Sequence, residues 1–135
     1  MAEDEDEFAT VSVWLGAFAS EARLEVFFEE TYGDDDTPIS EFARCQGEWF
    51  YDHDFVERGF RAPTQVVREL LLGHSFSRSF VEPLEAATGP ALRAPANTVV
   101  LVWGREIKSP RSVRGTDFDL EFVGTFSCDP TADAL

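Results

Sequence analysis

Thr98-Val99-Val100-Leu101-Val102-Trp103 is a continuous apolar run rich in β-branched residues, and it reads as a central strand. Downstream, Phe118, Leu120 and Phe122 alternate with Asp117, Asp119 and Glu121, the pattern of a half-buried strand expected antiparallel to the first. The connection between them, residues 104–116, is long for a hairpin and carries Arg105, Lys108, Arg111 and Arg114. Upstream, Val11, Val13 and Leu15 alternate with Ser12 and Trp14, giving another half-buried strand that Gly16 is expected to end.

Helical spacing fills much of the remainder. Ser20 suits an N-cap, Glu21 favours the positive helix end, and Leu24, Phe27, Phe28 and Tyr32 form an apolar stripe up to Gly33. Ile39–Gln46 suits a short helix with Ile39, Phe42 and Cys45 inward. Pro63 fits the first position of a helix that turns Val66, Val67, Leu70 and Leu71 inward and closes at Gly73. Ser79-Phe80-Val81-Glu82 fits a capping box opening a further helix, ended by Gly89-Pro90.

The chain has 135 residues, enough for one domain with one core, and 44% of them are hydrophobic. Met1–Glu7 reads as a disordered acidic tail, residues 8–127 as the domain, and 128–135 as a loose C-terminal tail. There is no apolar run near 18 residues and no basic, apolar leader, so neither a membrane span nor a secretory signal is expected. Cys45 and Cys128 have no metal-like spacing and read as reduced thiols of a cytoplasmic protein.

The net charge of −15 is unevenly placed. Residues 1–57 hold 17 Asp and Glu against Arg23 and Arg44, whereas residues 58–135 hold 9 acids against 9 bases. Nucleic acid and anionic membrane are thereby disfavoured as ligands, and a basic protein is the natural complement. Glu21, Glu25 and Glu29 form one i, i+4 row that runs on towards Asp34-Asp35-Asp36. Glu48-Trp49-Phe50-Tyr51-Asp52-His53-Asp54-Phe55 mixes four aromatics, three carboxylates and a histidine without a lysine or arginine. Rings supply contact area and carboxylates supply sign, as a basic partner requires. The same rings serve equally well as core, and the acids as turn formers.

Catalytic patterns are weak. Gly73-His74-Ser75-Phe76-Ser77 lacks the second glycine of a nucleophile elbow and follows a helix instead of a strand. Either cysteine with His53 or His74 would make a thiol–imidazole pair without a local signature. Asp34–Asp36 lack the alternate spacing of a calcium loop, and Asp52-His53-Asp54 reads as readily as a turn. There is no glycine-rich phosphate cradle, and no cofactor or metal is implied. Binding is favoured over catalysis.

Val11-Ser12-Val13-Trp14-Leu15-Gly16, the acidic helix after it, Ser40-Glu41-Phe42 and Tyr51-Asp52-His53-Asp54-Phe55-Val56-Glu57 together resemble the immunity protein 22 family. The resemblance continues through Glu69-Leu70-Leu71, Ser75–Phe80, Asn97–Trp103 and Phe122–Phe126, so it covers roughly residues 10–126. His53 stands where the family commonly has an acid, and the arginine-bearing loop is not part of the resemblance. The resemblance implies a non-enzymatic α+β protein of bacterial polymorphic toxin systems that binds and neutralises a toxin. With the elements above, the expected fold is a single α+β domain, a small antiparallel sheet of about 3–4 strands with about 3 helices packed on it.

The leading reading is a cytoplasmic immunity protein that covers the basic surface of a nucleic-acid-acting toxin. Glu25, Glu29, Asp34, Asp35, Asp36, Asp52 and Asp54 are the candidates for electrostatic contact, and Trp49 and Tyr51 for aromatic anchors. The alternatives are a general acidic adaptor or anti-nuclease module for basic proteins, and a small carboxylate- or metal-dependent enzyme using Asp52, His53 and Asp54. The basic loop either folds back on the acidic face or meets an acidic patch of the partner.

Overall fold

The computed structural model describes residues 8–32, 38–48 and 53–135. Among the described residues seven strands and four helices follow one another. β1 (Thr10–Phe18) leads into α1 (Glu21–Phe28), a two-strand hairpin of β2 (Thr31–Tyr32) and β3 (Pro38–Ile39), and α2 (Glu41–Cys45). A 3₁₀ turn at His53–Phe55 opens β4 (Val56–Val66), which passes directly into α3 (Val67–Leu71). After a second 3₁₀ turn at Ser77–Ser79 come α4 (Val81–Thr88), β5 (Ala91–Trp103), β6 (Val113–Arg114) and β7 (Phe118–Ser127). The main sheet has five strands in the order β4-β5-β1-β7-β6, more than the sequence suggested, and each neighbouring pair is antiparallel.

β1 is the middle strand and is covered on both faces, not half-buried. Val11, Val13 and Leu15 join one core with Val67, Leu70 and Leu71 of α3 and Val81 and Leu84 of α4. Trp14 and Phe18 point the other way, into a second core with Leu24, Phe27 and Phe28 of α1 and Phe42 of α2. The sheet is thus sandwiched between two helical layers. The second core is mostly rings: Trp14 meets Phe42 edge-on at 5.4 Å, and Phe18 stacks on Phe118 at 4.8 Å. Such pairs each contribute about 0.5–1.5 kcal/mol beyond the area they bury.

The central run is where the sequence placed it, with Thr98 to Trp103 all buried in β5. Its relation to β7 is different from the expectation. β7 pairs with β1, and because both β5 and β7 run antiparallel to β1, they run parallel to each other with β1 between them. Residues 104–112 are therefore a crossover, and a crossover needs more chain than a hairpin. Gly16 lies inside β1 and does not end it. A Cβ there would run into the main-chain carbonyl of Asp119 on β7, so glycine permits the close strand approach.

Several local signals were outcompeted by pairing. Pro63 lies in β4, not at a helix start; it sits where the register with β5 shifts between Phe60 and Thr64, on an edge strand that can spare an N–H. The helix expected from it shrinks to α3, and Val66 is 44% exposed. α1 stops at Phe28 because Tyr32 is taken by the β2–β3 hairpin. Ser20 does cap α1, its hydroxyl accepting from the Arg23 N–H at 3.1 Å. The capping box at Ser79–Glu82 does not form; the Ser79 hydroxyl donates to the Phe76 carbonyl at 2.7 Å instead. Residues 128–135, read as a loose tail, are docked. The Leu135 carbonyl accepts from Gly73 N–H at 2.9 Å, the Asp133 carbonyl from Arg78 N–H at 3.1 Å, and Leu135 packs against the first core.

Candidate partner-binding face

The two helices of the acid-rich part of the chain build one layer. α1 and α2 pack on the second core, and the carboxylates of α1, having no place in a ring-filled interior, lie outward: Glu21, Glu25 and Glu29 are all exposed along the helix. Asp54 is exposed in the 3₁₀ turn that leads into β4. Asp34, Asp35 and Asp36 belong to the connection between β2 and β3, and they lie outside the described residues, as do Trp49, Tyr51 and Asp52. Three of the nine predicted contact residues, Glu25, Glu29 and Asp54, are thereby placed.

Two arginines, Arg23 and Arg58, organise this layer. Arg23 reaches both oxygens of Glu41 at the start of α2, at 3.3 and 3.1 Å, and its Nε donates to Asp117 at 2.9 Å. Its guanidinium also lies over the Phe118 ring at 5.1 Å. The Glu41 hydrogen bonds, joined by those to Asp117, raise the Arg23 pKa above the ordinary arginine value. One cation thus ties α1, α2 and the start of β7 together. Arg58 on β4 donates to Glu25 at 2.7 Å and lies 4.9 Å over the Phe28 ring. Of the α1 row, then, Glu25 is already engaged. The sequence did hold one signal for Arg23: it is the only base on an acidic helix.

The basic crossover lies against this layer. Ile107 is buried in the second core, and the Lys108 N–H donates to the Glu48 carboxylate at 2.7 Å. Gln46, only 1% exposed, spends its amide on the main chain of one residue: it accepts from the Arg111 N–H at 2.8 Å and donates to the Arg111 carbonyl at 2.9 Å. Trp14 donates to the same carbonyl at 3.0 Å. The main chain of the loop is anchored on this layer, while the side chains of Arg105, Lys108, Arg111 and Arg114 stay exposed.

Among the described residues the catalytic alternatives find no assembled constellation, and Asp52, of the proposed carboxylate site, lies outside them. Ser75 and His74 both address Glu57: the Ser75 hydroxyl and N–H donate to it at 2.8 and 3.0 Å, and His74 Nδ1 lies 2.6 Å from Oε2. Serine and imidazole thus converge on a carboxylate instead of on each other, which is not the nucleophile–base contact that acyl transfer uses. Burial pushes the Cys45 and Cys128 thiols up, disfavouring the reactive thiolate. Among the described residues no group of three or more His, Cys, Asp and Glu is arranged to hold a metal ion, and no helix is long and apolar enough to cross a membrane.

No curated protein and no solved structure matches the chain. The family of immunity protein 22 matches residues 11–129, which spans both helical layers, the whole five-stranded sheet and the crossover. The chain belongs to the immunity protein 22 family.

Proposed function

We propose that this protein neutralises a cognate bacterial toxin domain by laying its acidic layer over a basic, nucleic-acid-binding surface of that toxin. The family supports a toxin-immunity role and a toxin as partner. The observation that carries the finer reading is the concentration of charge: 17 acids against two arginines in residues 1–57, the part of the chain that supplies α1 and α2. A toxin that holds phosphates must be basic where it holds them, and a surface of opposite sign both speeds encounter and excludes the substrate. Glu29 and Asp54, with Asp34, Asp35, Asp36 and Asp52, supply the charge. Trp49 and Tyr51 supply the anchoring rings.

The test is a pull-down from the native cell with this chain as bait. One stoichiometric partner carrying a basic toxin domain is expected. A spread of unrelated basic proteins would overturn the reading in favour of a general acidic adaptor.

A further inference from the structure

We propose that the crossover 104–112, together with β6, is a second docking element of opposite sign on the same face, built to meet a cluster of carboxylates that borders the toxin's basic groove. This rests on the reading above and specifies the partner further.

Residues 104–116 carry four cations, Arg105, Lys108, Arg111 and Arg114, against the single acid Glu106. A loop meant only to neutralise its own acidic layer would spend those side chains on the layer. The contacts here are of another kind. Gly104 N–H donates to the Thr10 carbonyl at 3.0 Å, Lys108 N–H to Glu48, and Arg111 offers its N–H and carbonyl to Gln46 and Trp14. The Ser112 hydroxyl accepts from the Phe122 N–H at 2.8 Å, and Val113 and Arg114 pair with β7. The main chain makes most of these bonds, and the Ser112 hydroxyl and the Ile107 and Val113 side chains, packed against the second core, add to the hold. All four cationic side chains are exposed, and among the described residues Arg105, Lys108 and Arg114 form no ion pair.

Two polar groups of the interior, the Gln46 amide and the Trp14 indole, are committed to fixing the main chain at Arg111. The loop therefore presents its charge from a pre-organised main chain, so little ordering entropy is lost when a partner arrives. A partner that fits this face needs basic groups for α1 and acidic groups for the crossover, side by side. A domain that cleaves phosphodiesters with a divalent cation has that combination, because carboxylates hold the metal and cations hold the phosphates.

The chain has a single lysine, Lys108, which makes the idea directly testable. The purified complex with the toxin domain is treated with a zero-length carbodiimide, which joins an amine to a carboxylate in contact with it, and the products are mapped by mass spectrometry. A link from Lys108 to an Asp or Glu of the toxin is expected. Lys108→Arg should lose the link and keep the affinity. The combined Arg105→Glu, Lys108→Glu, Arg114→Glu variant should bind at least about tenfold more weakly, as expected for close interfacial charge pairs, with an unchanged melting temperature. A complex that forms normally but gives no intermolecular link at Lys108, or whose affinity survives the triple reversal, overturns this inference and leaves the immunity reading intact. Failure to form any complex overturns both.

Discussion

The Trp14 indole N–H donates to the Arg111 carbonyl at 3.0 Å, so the largest ring of the middle strand holds the segment that crosses above it. Gln46 completes the arrangement by bonding both main-chain polar groups of Arg111. The crossover is thereby fixed from the core and not only from its ends.

Gln46→Ala should expose that dependence. The substitution leaves the Arg111 carbonyl with Trp14 but strips the Arg111 N–H of its acceptor and opens a small void. The expected loss is about 2 kcal/mol, the usual scale for orphaning a buried polar group. Urea denaturation of the variant measures it; a loss below about 0.5 kcal/mol, within the range of an ordinary surface substitution, would show that the loop is held by other means.

Glu57 predicts an acid-side change in stability. Burial is the largest influence and pushes its pKa up, but the hydrogen bonds from His74 and Ser75 outweigh it and hold the carboxyl below the ordinary glutamate value. A depressed carboxylate contributes stability that is full above the unfolded pKa and is lost as pH falls through the folded one. Glu57→Gln should therefore destabilise the protein at neutral pH by about 2 kcal/mol, the scale of hydrogen bonds to a charged group, and converge on the parent as both are acidified. Denaturation midpoints from pH 7 to pH 3 check this. Parallel curves for the two proteins would show that Glu57 does not couple protonation to folding.

Gly16→Ala tests the close packing of β1 on β7. The added methyl would meet the Asp119 main chain, which cannot rotate aside as a side chain would. A cost of about 3 kcal/mol or more is expected, at or beyond the upper end of overpacking penalties. Gly73→Ala is the comparison: no atom lies near its Cβ, and only the positive φ of 80° resists, so about 1 kcal/mol is expected. Equal melting temperatures for the two variants would contradict the packing argument.

Periodicity located the elements whose burial is one-sided or complete. Phe27 and Phe28 of α1, Leu70 and Leu71 of α3 and the run Thr98–Trp103 are core as their spacing implied. β4 escaped notice because Val56–Val66 contains Gly59 and Pro63 and has no fully buried residue, so neither alternation nor an apolar run marks it. The neighbour of β5 was misjudged for a different reason. Sequential strands usually pair, and nothing local to residues 98–122 reveals that β1, far away in sequence, sits between them. On the candidate face, the acidic row was legible from charge alone, whereas the Arg58–Glu25 pair and the Gln46 clasp join residues 33 and 65 positions apart. Such contacts depend on tertiary placement and leave no trace in spacing.

The acidic layer should act on the rate of association with the toxin more than on its dissociation. Charges that steer encounter work over roughly a Debye length, about 10 Å at 0.1 M salt, and are screened beyond it. Reversing Asp34, Asp35 and Asp36 to Lys should slow association about tenfold or more at low salt and flatten its salt dependence. Single reversals should differ according to what each carboxylate already holds. Glu29→Lys removes a charge with no arginine on it among the described residues, whereas Glu25 is already paired with Arg58 at 2.7 Å. Glu25→Lys changes the charge by the same amount but also sets a cation beside the freed Arg58 guanidinium, so it should slow association at least as much as Glu29→Lys. Stopped-flow measurements across an ionic-strength series decide both points. An association rate that the triple reversal leaves unchanged at low salt would remove steering from the mechanism and place the whole effect of the acidic layer in the bound complex.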